Sequence, residues 1–269
     1  MKIPVPALGT TLVLERPAAR VVSLVSSATE TLFALGAGDA VVGVTPWCRR
    51  YVPGLAAPVV SEYVSGDPAA VAAVSPDLVV ATDGAQLPLA RRLAAAGLPV
   101  FLLPVPHGRA GIQENALVLG GLVDRVAAAR ALCDGLERDC AALVASAPPR
   151  RPRVYAELWF GRHVRRPGGL SFVHDLLWLA GLDPVHGARA DAYAPPDLDE
   201  VLRLRPEWVI VFSEPDFPVD APALLAERGW DRAFSPRLLV STVERGRNLI
   251  HDGPSFVETA RWLRERTGP

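Results

Sequence analysis

A chain of 269 residues, half of them hydrophobic and with a formal net charge of −1, has material for one large domain or two lobes of ordinary size. The charge balance excludes a broad basic surface for nucleic acid or an anionic membrane. Three cysteines without a CxxC pair, Cys48, Cys133 and Cys140, argue against a disulfide framework or a zinc site.

In chain order, residues 11–15 read as a short edge strand and 20–25, rich in valine, as a buried one. A helix follows through Leu35, with Ser27 and Glu30 spaced as a capping box and Gly36 or Gly38 as its stop. Residues 41–44 form the next strand, followed by loops over 45–51 and 60–66. Asp67 caps a short helix with Pro68 at its first position. A strand over 77–81, an exit loop over 82–85, a helix over 87–96 and a strand over 99–103 complete this part.

The middle of the chain reads as one long helix, 108–147. Ile112, Ala116, Leu119, Val123, Val126, Cys133, Leu136, Cys140 and Leu143 follow a helical spacing and make a continuous apolar stripe. At about 1.5 Å per residue such a helix spans roughly 50 Å, longer than one small domain, and so predicts a connector between two lobes. Its Gly120-Gly121 pair costs roughly 1 kcal/mol per glycine relative to alanine and is expected where a lobe packs closely on the backbone.

Beyond Pro152 come a strand over 153–158, a loop over 159–169 rich in arginine, glycine and aromatics, and a helix over 171–180 ended by Gly181. A helix over 198–204, a strand over 207–212, a helix over 221–228, a strand over 237–242 and an amphipathic helix over 254–266 follow. The halves repeat each other: 32–39 parallels 176–183, and VAAVSPDLVV (71–80) parallels VLRLRPEWVI (201–210). The expected fold is therefore α/β, with two similar lobes of mainly parallel sheet at 1–107 and 148–269. The long rigid helix bridges them. In open α/β sheets ligands bind beyond the carboxyl ends of the strands, so a ligand cleft is expected between the lobes.

Four stretches, 20–45, 75–84, 114–125 and 167–184, resemble in order the class III substrate-binding proteins of ABC transporters. That group carries cobalamin, haem and ferric siderophores. The resemblance covers nearly the whole chain and implies two lobes joined by one rigid helix, a clamped ligand and no catalysis. It is strongest to the cobalamin-binding subgroup, in which a strand ending in VGVT leads into an aromatic and cysteine loop, here Thr45-Pro46-Trp47-Cys48. It implies a monomer that holds a corrinoid, cobalamin or a precursor, for ABC-type import, with no intrinsic cofactor. Family members present one glutamate per lobe to the permease, and Glu62 and Glu214 are the candidates. Haem, a ferric siderophore or a metal ion in the same fold is the alternative, and a cytoplasmic tetrapyrrole-handling protein or enzyme the second. Residues 1–20 lack the apolar core of a signal peptide and a lipid-attachable cysteine. As written the sequence reads as cytoplasmic, or as extracytoplasmic if a leader was removed. No apolar run suggests a membrane span.

The expected strand exits name the candidate contacts. Trp47, Tyr63, Asp83 and Gly84 belong to the first lobe; Trp159, Phe160, Arg162, His163, Arg165, Arg166, Arg245, Arg247 and His251 belong to the second. Aromatic faces pack on a macrocycle, and guanidinium groups donate to its carboxylates or amides. Gly168-Gly169 would admit a large ligand close to the backbone. Plainer readings stand beside these. Trp47 and Trp159 also fit loop anchors over the core, His163 a solvated histidine, and Cys48 a structural cysteine. Glu157 and Asp175 are carboxylates without a partner at an obvious spacing. Walker A, GxSxG and HExxH patterns are missing, so no enzyme is expected.

Overall fold

The computed structural model describes residues 1–214, 217–241 and 250–268. They form two units: Met1–Pro106 with Ala110–Leu136, and His107–Arg109 with Glu137–Pro269.

In the first unit β1 (Lys2–Val5) and β2 (Thr10–Val13) make an antiparallel hairpin. The chain then alternates strand and helix: β3 (Val21–Ser23), α1 (Ser26–Ala34), β4 (Val41–Val44), α2 (Pro68–Ala73), β5 (Leu78–Thr82), α3 (Leu87–Ala95) and β6 (Val100–Leu103). The sheet is wholly parallel in the order β4-β3-β5-β6. Its central strands are buried on both faces, as in β5, where all five residues are covered. That is why they read as unbroken apolar runs rather than alternating ones. From β3 the chain goes first to one side and then to the other, so the order reverses between β3 and β5. A reversal of this kind opens a crevice beyond the carboxyl ends of the two strands.

Asp67 caps α2 as expected, accepting from Ala69 N at 2.9 Å. The Ser27–Glu30 capping box does not form. The chain leaves β3 extended at Val25 and turns directly into α1 at Ser26, with no side-chain cap. Ser27 is thus already inside the first turn.

The single helix expected over 108–147 is two helices, α4 (Arg109–Leu122) and α5 (Val126–Ala145). Asp124 adopts a left-handed backbone, φ 55°, and Arg125 N donates to Gly120 O at 2.7 Å. This is the closing bond of a Schellman motif, with aspartate at the position glycine usually takes. A Cβ on Gly120 would stand 2.6 Å from the Ala129 Cβ and 3.1 Å from Arg125 O. Gly120 is therefore required by the turn between the helices. Gly121 faces open space. The division between the units falls inside α5, between Leu136 and Glu137.

The second unit contains β7 (Arg153–Phe160), β8 (His163–Pro167), α6 (Phe172–Leu179), β9 (Asp183–Pro184), β10 (Tyr193–Ala194) and α7 (Leu198–Leu204). After these come β11 (Trp208–Ser213), α8 (Ala221–Glu227), α9 (Trp230–Ala233), β12 (Arg237–Ser241) and α10 (Phe256–Thr267). Strands β11 and β12 run parallel to β7, and β9 pairs in parallel with its first residues. On the other side β8 is antiparallel to β7, and β10 to β8. The stretch 159–169, expected as a loop, is thus the end of β7 and a hairpin. Gly161, at φ 60°, begins a two-residue turn between the paired Phe160 and His163, where hairpin geometry favours glycine.

The internal repeat has a structural counterpart. Ser75 and Arg205, equivalent residues before a proline, both have φ 46°. Asp77 accepts from Ala19 N and Arg20 N at 3.0 and 2.9 Å, and the equivalent Glu207 accepts from Arg153 N at 3.1 Å. Arg20 donates to Val74 O and Arg153 to Leu204 O, each at 2.6 Å. In each unit a short helix is thereby tied to the start of the first core strand.

Candidate functional site

At the carboxyl ends of the first unit's strands, Gln86 is fully buried and joins three segments. Its Oε1 accepts from Thr82 N at 2.9 Å, and its Nε2 donates to Leu24 O at 2.8 Å and Tyr63 O at 2.7 Å. The exits of β3 and β5 and the segment carrying Tyr63 are locked together by one amide. Trp47 lies half-buried on a 3-10 turn, Pro46–Arg50, with the Arg50 guanidinium 4.3 Å from its ring centroid. Cys48 is fully buried. Its Sγ lies 3.1 Å from Thr29 Oγ1 and 3.3 Å from Thr45 Oγ1, so this thiol is part of the structure beneath the loop. Asp83 is exposed and links β5 to β6: Oδ1 accepts from Val105 N at 2.9 Å, and its own N donates to Leu103 O. A Cβ on Gly84 would stand 3.0 Å from Val105 Cγ2. Glu62 is exposed in a turn closed by its N bonding Ser65 O.

In the second unit the period of two along β7 puts Tyr155, Glu157 and Trp159 on one face. Glu157 has no exposed surface. Its Oε1 accepts from Tyr155 OH and Arg228 Nη1, both at 2.6 Å, and its Oε2 from Trp159 Nε1 at 3.0 Å. Burial and the adjacent Glu157 carboxylate push the Tyr155 phenol well above its usual range. Thus Glu157 has the partners that sequence spacing did not reveal. Trp159 is half-buried, while Phe160, on the opposite face, is 45% exposed. Arg162, His163 and Arg165 lie exposed on the hairpin.

Arg166 and the Gly168-Gly169 pair are engaged by the protein itself. Arg166 is buried and forms a bidentate pair with Asp191 at 2.6 and 2.9 Å. That hydrogen bond holds the Asp191 carboxyl below its usual range. The Gly168-Gly169 pair serves the chain's own packing: a Cβ on Gly168 would overlap Asp191, and one on Gly169 would overlap the Gly187 carbonyl. His251 is buried and Glu214 half-buried. Arg245 and Arg247 lie outside the described residues. Phe217, which the sequence reading passed over, is 58% exposed in the segment after β11 and bonds Glu214 O through its N. Its signal was an aromatic residue just past a strand end.

Asp175 is likewise structural. Its Oδ2 accepts from Arg109 N at 2.8 Å and its Oδ1 lies 3.3 Å from His174 Nδ1, so it caps the start of α4. Burial works against its ionisation, but these hydrogen bonds outweigh it and hold the carboxyl low. A cavity of about 360 Å³ lined by Arg109, Val144, His174, Asp175, Trp178 and Leu179 belongs to the helix layer, not to the strand exits. Among the described residues no three His, Cys, Asp or Glu side chains are grouped to hold a metal ion.

A wholly parallel sheet with a switch point, a second sheet repeating its strand-and-helix clamp, and aromatic side chains at the strand exits agree with a solute-binding fold. The model of the periplasmic binding protein family matches residues 21–232. The chain belongs to this family. The family is one of solute-binding proteins, not of enzymes. It is 32% identical over 222 residues to a protein named cobalamin-binding protein in Halobacterium salinarum, covering 79% of this chain and 56% of that one. The chain thus spans little more than half the length of these curated relatives. Among solved structures it resembles the periplasmic heme-binding protein HutB of Vibrio cholerae, with TM-score 0.74, 18% identity and coverage of 93% of this chain and 99% of that one. An ABC-type Fe3+-hydroxamate transport protein of Saccharomonospora viridis gives TM-score 0.75, 23% identity and 100% and 99% coverage. The molybdate-binding protein MolA of Haemophilus influenzae gives 0.72, 15%, and 97% and 89%. At these identities the structural likenesses show the fold. In this periplasmic binding protein no described helix is long and apolar enough to cross a membrane.

Proposed function

We propose that the protein binds a corrinoid, cobalamin or a precursor such as cobinamide, and delivers it outside the cytoplasm to an ABC permease as a monomer. The observation that carries this reading is the 32% identity to a cobalamin-binding protein over 79% of the chain. The chemistry of the strand exits supports it. Trp47 and Tyr63 of the first unit, with Trp159, Phe160 and Phe217 of the second, offer broad apolar faces to a macrocycle. Arg162, His163, Arg245, Arg247 and His251 supply donors for its amide side chains, while Asp83 and Gly84 shape the exit of β5. Glu62 and Glu214 are the proposed permease contacts. Affinity then comes from burial against preordered side chains, with no bond made or broken in the ligand.

Haem is the second reading, favoured by the likeness to a heme-binding protein of the same fold. One titration separates them. Purified protein is mixed with aquocobalamin, dicyanocobinamide, haemin and a ferric siderophore, and visible spectra and tryptophan quenching are followed. The expected result is one corrinoid per chain at micromolar or lower concentration, with haemin and siderophore binding more weakly. Failure of both corrinoids to bind at micromolar concentration overturns the proposal.

A further inference from the structure

We propose that Glu157 is a positioning residue of the ligand face, acting through the indole of Trp159; the inference rests on the reading that Trp159 touches the ligand. A carboxylate with no exposed surface is costly in an apolar core, and the residues around this face are Val209, Val211, Leu238 and Val240. Its ion pair with Arg228 does not by itself account for it, because a buried pair is often replaceable by apolar side chains without loss of stability. What the pair provides is direction. Oε1 is held by Arg228 Nη1 and Tyr155 OH. The Arg228 guanidinium in turn lies 4.8 Å from the Trp230 ring centroid, and the Tyr155 ring packs edge-on to Trp230 at 5.6 Å. The carboxylate is therefore fixed from the core side, and Oε2 is turned toward the carboxyl end of β7, where it accepts from Trp159 Nε1. That bond, with the packing of the ring, sets both torsions of the indole before any ligand arrives. A side chain ordered in advance loses less freedom on binding.

Two variants separate orientation from stability. Glu157→Leu combined with Arg228→Met, the double variant, removes the pair together and is expected to fold, with a denaturation midpoint lowered because the buried Tyr155 hydroxyl loses its acceptor. Glu157→Gln combined with Arg228→Met, the amide variant, keeps an oxygen for the indole and turns its NH2 to the Tyr155 hydroxyl, which can accept. Nitrogen-15 NMR of the indole N–H groups in ligand-free protein, with the Trp159 signal assigned by Trp159→Phe, reads orientation directly. One sharp Trp159 signal is expected in the wild type and in the amide variant, and a split or broadened one in the double variant. In aquocobalamin titrations the double variant is expected to bind roughly tenfold more weakly and the amide variant within about threefold of wild type. Adding the double change to Trp159→Phe should bring no further loss. An unshifted single Trp159 signal in the folded double variant, or an equal loss of affinity in both backgrounds, overturns the positioning role. A double variant that does not fold overturns it too, by making the pair a structural requirement. If the wild type binds no corrinoid, the proposed function fails, while the ligand-free NMR measurement still decides the orientation.

Discussion

One amide, that of Gln86, satisfies three backbone groups that no secondary structure reaches: Thr82 N, Leu24 O and Tyr63 O. Replacing it with the similarly sized leucine leaves them without a partner in a buried place. An unsatisfied buried group costs about 1–3 kcal/mol, and water can reach the partly buried Tyr63 carbonyl. Gln86→Leu is therefore expected to lower unfolding free energy by about 3 kcal/mol in urea titrations and to weaken ligand binding by releasing the Tyr63 segment. A loss under about 1 kcal/mol would mean that water already serves these groups. Neither Gln86 nor Glu157 was legible as an organiser in the sequence. Gln86 and Leu24 are 62 residues apart, and Glu157 and Arg228 71 apart; no local pattern links residues at such separations. Trp47, Trp159 and Phe160 were nominated because an apolar run stops just before each of them; the structure keeps Trp159 and Phe160 inside β7 itself.

At the scale of elements, the strands and short helices of both units follow from apolar runs, proline and aspartate caps. The one large misreading was the single central helix. Periodicity carries through the break because Val123 and Val126 continue the stripe, and the left-handed residue is Asp124 instead of the glycine that marks most such ends. The arginine-rich hairpin β7–β8 was hidden in the same way, by polar composition over strand geometry. The break changes what the two central glycines mean, and they can be tested separately. Gly120→Ala places a Cβ 2.6 Å from that of Ala129 and is expected to destabilise by about 1–3 kcal/mol through overpacking. Gly121→Ala meets nothing within 4 Å and is expected to stabilise by about 0.5–1 kcal/mol through helix propensity. Thermal and urea denaturation of the two single variants checks the sign of each; equal effects would contradict the turn assigned to Gly120.

Across the whole molecule the two units share a device more closely than they share a sheet. The first sheet is wholly parallel, whereas the second replaces one parallel side with the antiparallel β8 and β10. Yet both keep an acidic residue after a proline, bonded to the backbone at the start of the first core strand. This repetition was visible in the paired segments 71–80 and 201–210, because backbone geometry before a fixed proline constrains sequence more than sheet edges do. The device predicts unequal but independent contributions. Asp77 accepts two backbone N–H bonds, so Asp77→Ala is expected to cost about 1–2 kcal/mol. Glu207 accepts one, from Arg153 N, and its other oxygen pairs with the exposed Arg150. A pair so exposed adds little, so Glu207→Ala is expected to cost about 1 kcal/mol or less. The two clamps share no partner residue, and the double variant should equal the sum of the singles within about 0.5 kcal/mol. Urea denaturation followed by far-ultraviolet circular dichroism measures all three. A double variant much less stable than that sum would show the clamps to be energetically coupled, and the repeat would then act as one structure instead of two.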